Sequence, residues 1–165
     1  MKKFELTAEF VTNVFGKKLF RIKALVAFGN VEKGELGGFI EKEDNLSHDD
    51  NAWVYGNAWV FGNAWVFGNA QVSGNARVSG NARVYGDARV YDDADYAVVK
   101  GFGRCFRTTT FFRCKDKILR VQCGCFYGDL AQFREIVKKT HGDSKYAKEY
   151  LAIADLMELH FSDEY

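Results

Sequence analysis

From Asn51 to Val98 apolar and polar positions recur with a period of six: NAWVYG, NAWVFG, NAWVFG, NAQVSG, NARVSG, NARVYG, DARVYD, DADYAV. Within each unit alanine and valine stand two apart, as in Ala52 and Val54 or Ala58 and Val60. In an extended strand such residues share a face, so one narrow apolar face points inward. The Gly-Asn pair between units tolerates positive φ, which a sharp corner requires. Short strand, corner, short strand describes a parallel β-solenoid, each unit needing its neighbours to bury its face.

The flanks lack this period. Leu19 to Phe28 reads as a strand after a turn at Gly16, and residues 1–50 form an N-terminal β cap. Asn45 to Asp50 reads as a degenerate hexad with His48 facing inward in the aliphatic slot. Beyond the repeat, Cys105–Cys114 and Ile118–Cys125 predict a β-hairpin joined by Lys115, Asp116 and Lys117. Asp129 is placed to N-cap a helix carrying Leu130, Phe133, Ile136 and Val137, ending near Gly142. A second helix starts at Asp143 or Ser144, with Tyr146, Tyr150, Ile153 and Met157 on one face. The expected organisation is a cap (1–50), a repeat (51–98) and a ββαα module (99–165) in a mainly β chain.

The spacing of an aliphatic residue and a small one four positions later (Val54 and Ala58, Val60 and Ala64) resembles the hexapeptide repeat of left-handed β-helices. That resemblance implies three hexads per triangular coil, hence a short left-handed parallel β-helix of about three coils. Tyr55, Phe61 and Phe67 depart from it, standing where that family prefers small or acidic residues. The tandem GNA-x-V-x form, preceded by GGFIEKEDNLS (Gly37 to Ser47), is similar to uncharacterised repeat proteins of phages and prophages. At a strand spacing of roughly 4.8 Å the prism is only about 13 Å tall, and its ends need caps.

What the scaffold displays lies on either side of each valine. The first three hexads show Trp53 and Tyr55, Trp59 and Phe61, Trp65 and Phe67, together covering on the order of several hundred Å². Three readings stay open: a floor on which the flanking modules pack, an interface of a homo-oligomer, or a binding surface rich in hot-spot residues. Later hexads turn polar and basic, and three per coil sets Arg77, Arg83 and Arg89 on three different faces as a belt.

The net charge of +1 gives no overall steering, but Lys100 to Arg120 holds seven basic residues against Asp116. Arg104, Arg107, Arg113, Lys115, Lys117 and Arg120 alternate with Phe106, Phe111, Phe112 and the hydroxyls of Thr108, Thr109 and Thr110. Arginine forks hold phosphate or carboxylate and aromatics stack bases, which suits a nucleotide-type anion or an acidic protein. The alternative for this hairpin is one packed face and one solvated by charge. The patch is too short for extended duplex nucleic acid.

The cysteines (105, 114, 123, 125) include no CxxC pair, and Cys105 and Cys114 differ in strand parity, so no metal is expected. The hexapeptide acyltransferases, as the resemblance implies, use a histidine base, yet no hexad from Asn51 to Val98 contains histidine. His48, His141 and His160 read as structural, no Ser/His/Asp signature is present, and the glycines around Phe102 lack a phosphate-loop context. The N-terminus lacks the apolar run of a signal peptide, and no stretch approaches the roughly 18 apolar residues that span a bilayer. The expectation is a non-enzymatic, oligomeric phage or prophage binding protein of the bacterial cytoplasm. It would need no cofactor and would sequester or block a host factor, either a nucleotide-type signal or a defence protein. A hexapeptide-type acyltransferase and a structural assembly element are the alternatives.

Overall fold

The computed structural model describes residues 1–162. The hexads form seven two-residue strands: β4 (Trp53–Val54), β5 (Trp59–Val60), β6 (Trp65–Val66), β7 (Gln71–Val72), β8 (Arg77–Val78), β9 (Arg83–Val84) and β10 (Arg89–Val90). They pair in parallel as β4 with β7 and β7 with β10, β5 with β8, and β6 with β9. Each partner lies eighteen residues on, with Val54 opposite Val72 and Val60 opposite Val78. The chain therefore returns to the same wall after three hexads, and the alanine and valine of the regular hexads fill the interior, essentially without solvent. Mainly β, the chain carries a β-solenoid repeat with a two-helix module after it.

The parallel wall begins before Asn51. Ahead of it stand β1 (Phe4–Thr12), β2 (Lys18–Ala24) and β3 (Leu36–Ile40), an antiparallel meander whose last strand joins β5 in parallel. Ile40 pairs with Val60 and Leu46 with Val66, so both hold the valine register. These partners are twenty residues apart, and two extra residues enter between Leu46 and Val54, where Asp50 takes φ 55°. That insertion corrects the sequence reading of His48. Leu46 fills the aliphatic slot, and His48 lies in the cap, its ring stacked on Phe4 at 4.1 Å and its Nδ1 accepting the Lys3 amide at 3.0 Å.

Hydrogen-bond polarity dictates what each end of the solenoid needs. Amides of one coil donate to carbonyls of the next, as Trp53 N to Ala70 O and Trp59 N to Ala76 O. The N-terminal end therefore presents carbonyls and the far end amides. Donors cap the first: Lys3 Nζ reaches Ala52 O at 2.7 Å, Phe39 N reaches Ala58 O at 2.9 Å, and Asn45 Nδ2 reaches Ala64 O at 2.8 Å. Acceptors cap the second: Asp93 Oδ1 takes the Arg77 amide at 2.7 Å and Thr110 Oγ1 the Arg83 amide at 3.0 Å.

Lys3 is only 3% exposed, and burial lowers its ammonium from the ordinary 10.5 to about 8, against the opposing pull of Asp50 and Asp49. Between those values the unfolded chain holds a proton the folded chain has released. The contribution of this group is thus complete above 10.5 and lost as pH falls through 8. The difference in unfolding free energy between wild type and Lys3→Met is expected to be flat below about pH 8 and to widen towards about pH 10, read by urea denaturation. A gap that stays constant across that range would refute the buried-ammonium cap.

After the seventh hexad come four antiparallel strands, β11 (Tyr96–Phe102), β12 (Arg107–Arg113), β13 (Leu119–Cys123) and β14 (Phe126–Asp129). Helices α1 (Leu130–His141) and α2 (Lys145–His160) follow, capped by Asp129 and Ser144. The module is thus ββββαα, not ββαα. Tyr96–Phe102 begins inside what reads as the eighth hexad, and the four-residue β14 follows β13 across the Gly124–Cys125 turn. The sheet is covered on both sides. Phe112 enters the solenoid core, while Phe111 packs with Phe133, Val137, Tyr150 and Ile153 of the helices. Among the described residues no helix is long and apolar enough to cross a membrane.

Candidate functional site

The six aromatics of the first hexads do not form a joint patch. Successive hexads lie on different walls, so Trp53 and Tyr55 stand on the β4 wall, Trp59 and Phe61 on the β5 wall, and Trp65 and Phe67 on the β6 wall. Trp53 is fully buried against the N-terminal module, with Phe28 edge-on at 5.3 Å and Phe4 at 6.3 Å. Trp59 and Trp65 are covered in part by the belt. The Arg77 guanidinium lies 3.8 Å over the Trp59 ring and that of Arg83 5.9 Å over Trp65, each on a strand paired with the tryptophan's own. Trp65 stacks on Phe67 at 3.8 Å, and Phe67 meets Tyr85 at 4.5 Å. Arg77, Arg83 and Arg89 stand on three different walls.

The basic hairpin residues separate into distinct groups. Thr109 is wholly buried and donates through Oγ1 to Cys123 Sγ at 3.2 Å, so it is removed from the ligand-binding set. Its parity is that of Phe111, the side packed on the helices. Arg120 grips Asp116 with both terminal nitrogens, at 2.8 and 2.9 Å, and holds that carboxyl down at about 2. The pair cancels its own charge at the turn. Arg104 and Arg107 lie at one end of β12 and Arg113 at the other, about 20 Å away along a seven-residue strand.

What the fold brings together is Arg89, Arg113, Lys115 and Lys117. With Tyr91, Asp95 and Cys114 they line an open groove of about 520 Å³ where the β12–β13 turn passes the last strand of the solenoid. Backbone bonds fix the turn there: Lys115 N donates to Asp87 O at 2.9 Å, and Ala88 bridges Cys114. Lys117 takes φ 69° with its amide on Cys114 O at 2.8 Å, which turns both lysines to the same corner. Arg89 Nη1 donates to Asn69 O at 3.1 Å and to Ala88 O at 3.0 Å, holding the guanidinium against the wall.

Asp95 is the one carboxylate lining the groove among the described residues, and it is already engaged. Its Oδ1 faces Arg113 Nε at 3.4 Å, and its Oδ2 accepts the amides of Tyr91 and Asp92 at 2.9 and 3.1 Å. Arg113 also donates to Phe161 O at 3.2 Å. The Cys114 thiol, pushed up by burial, adds no negative charge. A positive field therefore remains over Arg89, Lys115 and Lys117, beside the Tyr91 ring, which is 56% exposed. Sequence reasoning placed Tyr91 among the outward positions but assigned neither Tyr91 nor Asp95 to a site. Tyr91 repeats the outward slot of Tyr55 and Tyr85, but only the fold brings the lysines beside it.

No group of three or more His, Cys, Asp or Glu side chains among the described residues is arranged to hold a metal ion. A family model described as YdcK Beta solenoid repeat matches residues 70–86 and 82–94, the later hexads that carry β7 to β10. The likeness is to that repeat and covers a small part of the chain. Searched against curated proteins, the chain has no match.

Proposed function

We propose that this chain is a non-enzymatic binding protein of phage or prophage type that sequesters a phosphorylated, nucleotide-type ligand in the bacterial cytoplasm. The observation that carries the reading is the convergence of Arg89, Lys115 and Lys117 on one groove beside exposed Tyr91. Phosphate oxygens would face the cations and the base would stack on the tyrosine. In this reading the solenoid is a left-handed coil of hexapeptide type, and its part is to hold Arg89 and Tyr91 rigidly against the turn. His48 engages its Nδ1 with Lys3 and its ring with Phe4, which favours binding over acyl transfer. Assembly into an oligomer is supported by β1, the outermost strand of its sheet, next to the exposed Val14 and Phe15 at the hairpin tip.

Calorimetric titration of the full chain with ATP and with a cyclic dinucleotide tests the proposal, inorganic phosphate serving as the comparison. At least one nucleotide should bind saturably and more tightly than phosphate. A charged hydrogen bond contributes about 1.5 kcal/mol, so Lys115→Gln combined with Lys117→Gln should weaken that binding roughly 100-fold. Tyr91→Ala should lose about 1–3 kcal/mol of stacking. Absence of saturable heat with either nucleotide, or equal affinity in the double variant, would sink the reading.

A further inference from the structure

At the opposite end of the C-terminal sheet lies a second concavity, of about 370 Å³, between the β11–β12 and β13–β14 turns and the two helices. Its walls are apolar, built by Phe126 of β14 and by Phe133, Ile136 and Val137 of α1. Cys105, Cys123 and Cys125 bring three sulfurs to the same space. Thr140, His141 and Tyr150 complete the lining, with the His141 ring stacked on Tyr150 at 6.0 Å. The Tyr150 hydroxyl donates to Phe102 O at 3.1 Å and is pushed up to about 12, chiefly by burial, so it stays neutral. Of the sulfurs, that of Cys123 accepts from Thr109 Oγ1, which lies outside the lining. What this base offers a ligand is mostly aromatic ring and polarizable sulfur, with Thr140 and His141 on the α1 side.

The rim is different. Arg104 and Arg107 are both exposed, and both line the opening. Arg107 lies directly against Gly124, which takes φ 59° and leaves no room for a Cβ beneath the guanidinium. The guanidinium sits close to Cys105, Cys123 and Cys125, which line the same opening. A cation among the three sulfurs opposes a metal ion there and favours an anion. The volume falls within the range of small-molecule sites, which join an apolar body to a few placed polar groups.

We propose that this concavity is a second binding site, for a small planar aromatic carboxylate. The ring enters between β14 and α1, against Phe126, Phe133 and the cysteine sulfurs, where edge and sulfur contacts suit an aromatic body. The carboxylate remains at the rim, held by the Arg107 fork with Arg104 beside it. The site is separate from the lysine groove, because the two lie at opposite ends of β12.

Titration of the full chain with 2-naphthoate, read by calorimetry and by amide NMR shifts, tests this. Saturable binding is expected, with the largest shifts on β14 and α1. Arg107→Gln should weaken it at least about tenfold, the scale of one charged hydrogen bond. Ile136→Trp, at a position half open to solvent, should fill the concavity and abolish binding, and Arg104→Gln provides an exposed-site variant with little risk to folding. The Lys115→Gln, Lys117→Gln double variant should bind naphthoate as the wild type does. No saturable binding at millimolar probe, unchanged affinity in Arg107→Gln and Arg104→Gln, or an equal loss in the lysine double variant would each overturn the assignment. None of these outcomes bears on nucleotide binding in the groove.

Discussion

Trp53→Ala is expected to destabilise the fold by about 4 kcal/mol, whereas Trp65→Ala, the same change in the same hexad slot, should cost less than about 1 kcal/mol. Trp53 has no exposed surface and closes the space between the first coil and the N-terminal strands through Phe4 and Phe28. Its removal leaves a cavity walled by the cap on one side and the solenoid on the other, so the lining cannot collapse from one direction. Trp65 is 36% exposed, and its loss uncovers one face of Phe67 to solvent that is already close. The buried indole Nε1 of Trp53 has no hydrogen-bond partner, so Trp53→Phe should cost clearly less than Trp53→Ala. Urea denaturation of the three variants provides the comparison. Equal losses at 53 and 65 would mean that the N-terminal module does not depend on this side chain.

Phe112→Ala is the second large effect, again about 4 kcal/mol, but with a different signature. Phe112 is the side chain of β12 that enters the solenoid core, and it stacks towards Tyr127 at 6.2 Å. On the same strand, Thr110 caps the Arg83 amide, and past the strand's end Lys115 binds Asp87 O. Loss of Phe112 should therefore loosen the whole cap, raising hydrogen exchange at the amides of Arg83 and Lys115 far more than in the helices. Phe111→Ala deletes the same ring one residue earlier, on the helix side of the sheet. It should cost a similar free energy while leaving those two amides protected. If both variants raise exchange equally at Arg83, the sheet and the solenoid end unfold as one unit.

These contrasts mark where the sequence is legible. Strand parity within a hexad is local, so the inward alanine and valine, the corners and the belt of Arg77, Arg83 and Arg89 could be read directly. Helix starts are local too, and Asp129 and Ser144 cap where their side chains predict. Cover is a long-range property. Trp53, Trp59 and Trp65 sit in identical hexads, yet burial separates them because only the β4 wall receives the Phe28 loop. Thr109 shows the same limit, since alternation on β12 predicts two faces but not that both are packed. His48 went astray for another reason: two residues inserted after Leu46 shift the register, and no composition cue marks them. The groove was half visible, its lysines and arginines named from charge, with Tyr91 and Asp95 supplied by the return of the chain.

The eighteen-residue register also governs how this protein can change length over generations. Adding or losing a full turn keeps every wall, and the cap at each end meets the groups it met before. A single inserted hexad would rotate everything after it by a third of a turn. Inserted between Phe67 and Arg77 it would keep Asp93 under the Arg77 amide and Thr110 under that of Arg83, because these groups move together, but it would turn the C-terminal sheet a third of a turn relative to the N-terminal strands. Single-hexad length variants of such a chain are therefore expected to fold with both ends capped, and only steps of three hexads keep the two flanking modules on the same side of the array.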